Sequence, residues 1–459
     1  VAMRYGQFTS GRLAAYSASI RFEELPRDLV EKARQCLRDS IGCLLSARGL
    51  PVAEMLQRTV MPERGSGRAK LSDAGNVALA NATLINALDF DDIYRKGHPG
   101  ATVIGSALAL GEVLDASPEE LIAAIIAGYE VGCRVGMSLV QTQPRKLLHG
   151  HGTWQTLGAV AASARLLRLD PDRTAHALSI AAASAPVASV MKTVYGAKPS
   201  MAKNNFGAAA QAGVNAALLA KCGGEGPLDA FDGETGFWRM FGADACDWAV
   251  FDVEPGTFSE TREVGFKPFS CCRILQSSIE AALAAAAELG AADPSGEIVE
   301  ILVRGPEILT RPPFSNPNPS DMWAAQFSAP HAIAMALLGV PPGPDWFSSK
   351  NLQNPARHKL AARVVLELGS PASGKARPHH HASTVQVTLG SGRRAEAAID
   401  IAKGEASNPM SEAELRAKFV TLAAKRVAPE RAEAVASMFD TAAALPPVRV
   451  LLNAVAEPA

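Results

Sequence analysis

The chain has 459 residues, 48% of them hydrophobic but only 6% aromatic, with 45 basic and 46 acidic side chains. That length can bury a large core in two or three structural units, and the near-neutral balance argues against nucleic acid or an anionic membrane as partner. The longest apolar runs, such as LIAAIIAGYEVGC (121–133), are too short and too closely flanked by charge to span a bilayer.

The N-terminus has no apolar signal core. Seven cysteines without a CxxC pair suit reduced thiols, so a cytoplasmic location is expected. From about 10 to 250 the pattern is helical. FEELPRDLVEKARQCLRDSIGCLLSA (22–47) places Val30, Ala33, Leu37, Ile41 and Leu44 on one face. Asp73 is placed to cap a helix through NVALANATLINAL, with Val77, Ala80, Leu84 and Leu88 in one stripe. Alanine-rich helices follow through VIGSALALGEVL, PEELIAAIIAGYEVGCRVG, TLGAVAASARLL, PDRTAHALSIAAASA and NNFGAAAQAGVNAALLAKCG. Their small residues let helix axes approach closely in a multi-helix bundle.

The texture changes near 255. SGEIVEILVRGP (295–306), ARVVLELGSP (362–371) and TVQVTLGSGRRAEAAIDI (384–401) read as strands, the last as a hairpin turning at Gly390-Ser391-Gly392. Helices at about 274–289 and 321–338 interleave, making a small α+β unit. Helix returns in SEAELRAKFVTLAAKR and PERAEAVASMF, where Ser411 and Glu414 form a capping box. The fold class is therefore mainly α with α+β, and the last helices could rejoin the first set as one discontinuous domain.

Five clusters carry candidate chemistry. In ALDFDDIYRKGHPGA (87–101), Asp89 and Asp92 share a face if the preceding helix continues. Carboxylates at a helix C-terminus cost roughly 0.3–1 kcal/mol each. An exposed polar helix end, a cation site, and a carboxylate orienting His98 for acid/base work all fit this spacing. KLLHGHGTW places His149 and His151 in a glycine-rich turn before a helix, a weak zinc signal without a third ligand. YGAKPSMAKNNFG sets Lys198 and Lys203 ahead of a helix, where they suit a carboxylate or phosphate; Ser200-x-x-Lys203 lacks the other motifs of a serine hydrolase. GFKPFSCCRILQSS brackets two cysteines with Lys267 and Arg273. The His379–His381 run is either a metal ligand set or a solvated loop.

Taken in order, ALDFDDIYRKGHPGATVIGSALALGE, HGHGTW to SARLLRLD, KNNFGAAAQAGVNAALLA with GPLDAFDGETGF, FKPFSCCR and NPMSEAELRAKF resemble the MmgE/PrpD family over nearly the whole chain. That family includes 2-methylcitrate dehydratase, cis-aconitate decarboxylase and iminodisuccinate epimerase. The resemblance implies a large all-helical domain built from 1–262 and 405–459, an α+β lid over 263–404, a homodimer, and no metal or organic cofactor. By motif, Asp89, His98, Lys203 and Lys267 match pocket positions, with Lys198 as the alternative lysine and His149 or His151 as the pocket histidine. Gln276 stands where cis-aconitate decarboxylases carry a histidine, and His331 falls in the segment that carries their lid tyrosine.

The expected activity is a lyase, most plausibly a hydratase/dehydratase on a small di- or tricarboxylate of the 2-methylcitrate kind. An epimerase, a decarboxylase or a catalytically silent carboxylate binder is the alternative. The expected roles are carboxylate binding or enolate stabilisation for Lys203, Lys267 and Arg273, proton transfer for His98 and His149 or His151, orientation by Asp89, and acid catalysis by His331.

Overall fold

A computed structural model describes residues 5–60, 70–95, 97–141, 151–290, 293–369 and 380–455. The first part is helical: α1 (Thr9–Ser19), α2 (Arg27–Ala47), α3 (Pro51–Thr59), α4 (Ala74–Ile85), α5 (Pro99–Leu114), α6 (Pro118–Ser138), α7 (Gly152–Leu166), α8 (Pro171–Ser184) and α9 (Phe206–Lys221). Proline opens α5, α6 and α8, where its missing N–H is no loss. Ser117 and Glu120 add a reciprocal capping box to α6.

Small residues set the packing of α5, α6 and α7. A Cβ on Gly158 of α7 would lie 2.8 Å from the Gly128 carbonyl oxygen of α6 and 3.0 Å from the Val103 side chain of α5. Helix α6 is the one described helix long and apolar enough to cross a membrane, and 94% of its apolar window is buried inside the protein.

The α+β part holds α10 (Gln276–Leu289), α11 (Ala329–Leu337) and four strands: β1 (Ile298–Gly305), β2 (Val364–Leu368), β3 (Ser383–Leu389) and β4 (Arg394–Ile399). The sheet order is β2-β1-β3-β4. Strand β1 pairs parallel with β2 (Val303 with Leu366) and antiparallel with β3 (Val303 with Val385). The expected β3–β4 hairpin is present, with Gly392 at φ 85° in its turn. The chain ends in α12 (Glu412–Ala423), α13 (Pro429–Ser437) and α14 (Val448–Ala454), with the expected Ser411–Glu414 box on α12.

Among the described residues there are two hydrophobic cores. Leu415 and Phe419 of α12, Val435 of α13 and Leu451 of α14 share one with Leu37, Val103, Ile125 and Leu157. The other packs α10 and α11 on the sheet through Ile279, Ile333, Ile301 and Val385. Leu88 and Phe90 belong to this second core although α4 belongs to the first. The segment between them therefore crosses the seam.

Three local expectations change. Helix α4 stops at Ile85 and does not run on to Leu88, so Asp89 and Asp92 do not share a helical face. Asp73 sits at the start of α4 but its side chain makes no capping bond. The helix expected over 321–338 breaks into a turn at Met322–Ala325 and α11, because the Ser328 hydroxyl accepts from His331 N–H and Pro330 enters the first turn.

The α6–α7 contact leaves no room for a side chain at its centre. Gly158→Val should lower unfolding free energy by about 3 kcal/mol, the upper end for overpacking against backbone. Urea denaturation reads this, and an unchanged midpoint would contradict the packing described.

Candidate active site

Past α4 the chain turns through Asn86–Leu88 and enters a left-handed residue, Asp89, with φ 50°. Aspartate tolerates this region better than most residues. Ile93 then pairs antiparallel with Gly265: Ile93 N–H donates to the Gly265 carbonyl at 2.9 Å, and Gly265 N–H to the Ile93 carbonyl at 2.8 Å. Phe266 N–H donates to Gly404 O at 2.8 Å. A Cβ on Gly265 would meet that carbonyl oxygen at 2.2 Å, so the strands approach this closely only with glycine there. The crossing delivers Lys267, two residues on, to Asp89.

Lys267 Nζ donates to both the Asp89 carboxylate (Oδ1, 2.5 Å) and the Asp89 carbonyl (2.5 Å). Lys203 Nζ lies 3.4 Å from the other oxygen, Oδ2. Lys203 also donates to Gln326 Oε1, and Gln326 Nε2 donates to the Ala87 carbonyl at 2.7 Å. His98 Nε2 is 3.8 Å from Asp89 Oδ1. Its other nitrogen, Nδ1, is 2.9 Å from the Asp92 carbonyl, which fixes the tautomer: Nδ1 carries the proton and Nε2 keeps the lone pair. The Gln155 amide, oriented to satisfy both bonds, brackets the His98 backbone at 2.8 and 3.0 Å. All four side chains are buried, His98 being 8% exposed.

The charges follow from burial and contact. Burial would raise the Asp89 carboxyl, but Lys203, Lys267 and His98 overcome it and hold it well below the ordinary range. Burial opposes charge on both lysines. Asp89 and Asp91 more than offset this at Lys267, whose affinity for its proton rises, whereas Lys203 falls below its usual value. Burial, with Lys267 adding to it, keeps His98 neutral. Burial pushes Asp91 up to about 7, and burial with neighbouring Asp91 pushes Asp92 up to about 8. Asp91 Oδ1 accepts from Asn86 Nδ2 at 2.8 Å, while Asp92 accepts from Tyr129 OH at 2.6 Å and from Gly100 N–H at the start of α5. With Asp91 held up to about 7 and Asp92 to about 8, neither carboxyl is fully ionised at pH 7, so they compensate the two ammonium groups only in part beyond the Asp89 carboxylate.

Asp89, Asp91 and His98 offer ligand atoms within 4.8 Å of one another. Lys267 Nζ, however, sits 2.5 Å from Asp89 and 3.8 Å from Asp91, where a bound cation would have to balance the same oxygens. The donor set therefore fits an ammonium and does not fit a resident metal.

Other expected residues distribute unevenly. His151 begins α7 and its ring centroid is 6.3 Å from that of His98. His149 lies outside the described residues, as does His379. Lys198 is 66% exposed and pairs with Asp321 at 3.1 Å, so of the two lysines Lys203 joins the cluster. Arg273 forms a two-pronged pair with Glu405 (2.8 and 2.6 Å) and donates to the Tyr94 and Arg95 carbonyls, holding the turn before His98.

Gln276 and His331 lie away from the cluster. The Gln276 amide is consumed by its own loop, accepting from Phe269 N–H and donating to the Phe269 and Cys271 carbonyls. His331 bonds the Trp346 carbonyl at 3.0 Å and stacks on Phe347 in the second core, where burial lowers it to about 3. Among the described residues, neither shares a hydrogen bond or ion pair with Asp89, His98, Lys203 or Lys267. Gln326, Asn86 and Gln155 were not singled out in the sequence. They carry no charge and no motif, and act only by where the fold puts them.

A cavity of about 190 Å³ opens beside Lys203, with Asn86 and Asn204 as polar wall and Leu79, Met201 and Trp323 as apolar wall. It is large enough for a small carboxylate.

Comparison with known proteins agrees with the chain-long resemblance. A profile of the MmgE/PrpD N-terminal domain matches residues 11–247, and one of the MmgE/PrpD C-terminal domain matches 269–442. The chain is 26% identical to a cis-aconitate decarboxylase of Aspergillus terreus over 67% of its own length and 63% of that protein's. It is similar to cis-aconitate decarboxylases of Mus musculus (26% identity; 79% of this chain, 74% of that one) and Homo sapiens (27%; 76% and 72%).

The raised Asp91 carboxyl has a pH signature. It is lifted to about 7, against roughly 3.9 in an unfolded chain. The folded protein thus holds a proton that the unfolded chain has lost. This contribution is complete below about pH 4 and is lost as pH rises to about 7. In Asp91→Asn the urea midpoint should fall less over that window than in wild type; parallel curves would contradict the assignment.

Proposed function

The chain belongs to the MmgE/PrpD family, and from that premise we propose that it is a cofactor-independent lyase that dehydrates a small di- or tricarboxylate by proton transfer alpha to a carboxylate. One observation carries the reading: two buried ammonium groups and a neutral imidazole converge on a single carboxylate. Such a site accepts an anion and can stabilise the negative charge that grows on its oxygens as the alpha proton leaves.

In this mechanism a substrate carboxylate displaces part of the Asp89 contact and takes hydrogen bonds from Lys267. His98 Nε2, with its lone pair free, removes the proton alpha to that carboxylate. The electron pair moves first onto the carboxylate as an enediolate, held by Lys267. It then forms the new double bond as the beta hydroxyl leaves. Lys203, whose proton burial has loosened, delivers that proton to the leaving hydroxyl, so water departs.

The second reading is decarboxylation of a cis-aconitate-like tricarboxylate, favoured by the names of the relatives. There carbon dioxide leaves and the same groups return a proton to carbon. We rank it second because Gln276, standing where those enzymes carry a histidine, transfers no proton and is bound to its own loop.

Proton NMR in D₂O over citrate, 2-methylcitrate and cis-aconitate tests both. From citrate or 2-methylcitrate an unsaturated product is expected, with deuterium entering the alpha carbon of the recovered substrate as deprotonation reverses, and Lys203→Ala should slow it by about 10²–10³-fold. A product short of one carboxylate would replace dehydration by decarboxylation, and exchange alone would indicate an epimerase. Neither turnover nor exchange on any of the three would overturn the proposed activity.

A further inference from the structure

A second buried ion pair stands directly behind the site. Lys418 of α12 places its Nζ 2.6 Å from Asp39 Oδ1 of α2, donates to the Phe90 carbonyl at 2.7 Å, and lies 4.0 Å above the Phe90 ring. Both side chains are almost wholly buried. Packing does not require them. Leu415, Phe419 and Leu422 already bury the inner face of α12, and Phe419 closes on Gly42 of α2. Apolar residues replace buried ion pairs without loss in many proteins. Asp39 Oδ2 has no hydrogen-bond partner among the described residues, so the pair is not optimised for stability either.

Its distinctive contact is with the backbone. Lys267 holds the carbonyl of Asp89 and Lys418 holds the next carbonyl, that of Phe90. Between them lies the peptide that follows the left-handed Asp89. A non-glycine residue stays in that region only when its surroundings over-determine it.

We propose that Lys418 is a positioning residue of the candidate site: with Lys267 it clamps two successive carbonyls and so keeps the Asp89 carboxylate aimed at Lys203, Lys267 and His98. Helix α12 thereby sets the geometry of a site whose own residues lie far away in sequence. The effect on turnover rests on the lyase reading above, whereas the effect on His98 does not.

The test uses the full chain and three variants. Lys418→Met with Asp39→Asn removes the clamp without stranding a charge. Asp39→Asn alone keeps it, and Lys418→Arg keeps a donor. The ring ¹⁵N and ¹H resonances of His98 report the geometry directly. They should shift, and the Nδ1 proton should exchange at least tenfold faster, in the double variant and not in Asp39→Asn alone. On whichever polycarboxylate the wild type turns over, kcat should fall at least tenfold with KM changed less than threefold. Lys418→Arg should recover part of both.

Unmoved His98 resonances in the folded double variant would overturn the proposal, as would an equal shift in Asp39→Asn alone. If the double variant does not fold, Lys418→Gln is compared with Asp39→Asn on the same resonances and the same criteria apply. Should the wild type turn over no polycarboxylate, the lyase reading fails while the His98 readout still decides the role of Lys418.

Discussion

Asp89 is a buried carboxylate touching two buried ammonium groups, and a charge in that place costs several kcal/mol unless it is paired and hydrogen-bonded. Much of the surrounding structure serves that pairing. Helix α4 ends three residues early, at Ile85, and Asp89 turns left-handed beyond it. Gly265 and Gly404 let two backbones come close enough to bring Lys267 in. Gln326 ties Lys203 to the Ala87 carbonyl, and the flanking Leu88 and Phe90 anchor the segment in the second core. Removing one ammonium would leave the carboxylate under-compensated, a change that costs about 3–5 kcal/mol in buried pairs.

The same pairing has a chemical consequence. The lysines are already engaged by a carboxylate, so in the proposed reaction Asp89 occupies the place the substrate carboxylate takes. Binding is then an exchange of one anion for another and needs little reorganisation of the cations, which is how preorganised sites stabilise developing charge. Asp91 and Asp92 sharpen this. Burial holds their carboxyls up to about 7 and about 8, so near pH 7 they cancel the positive field of the lysines only in part. His98 stays neutral for the same electrostatic reason and keeps a lone pair on Nε2.

The elements legible in the sequence are those whose signal is local. Alanine-rich helical stripes, the β3–β4 hairpin with its glycine turn and the Ser411–Glu414 box depend on residues a few positions apart, and each formed where expected. The Asp89–His98 pairing was legible for the same reason, lying within one turn. What the sequence concealed was long-range. Nothing near Lys203 distinguishes it from Lys198 until the fold sends one to Asp89 and the other to Asp321. His331 and Gln276 have reactive or polar side chains in plausible segments, yet one stacks in the second core and the other fastens its own loop. The helix stop at Ile85 escaped notice because its cause is a seam between two cores, and no proline or glycine marks it.

The most direct measurement is a calorimetric titration of propane-1,2,3-tricarboxylate, which has no hydroxyl to lose, into wild type and Lys267→Met. If the Asp89 cluster is the anion-accepting site, the wild type binds saturably at one site per chain and the variant binds at least tenfold more weakly. Equal affinity in the two proteins would place the carboxylate elsewhere and contradict the assignment.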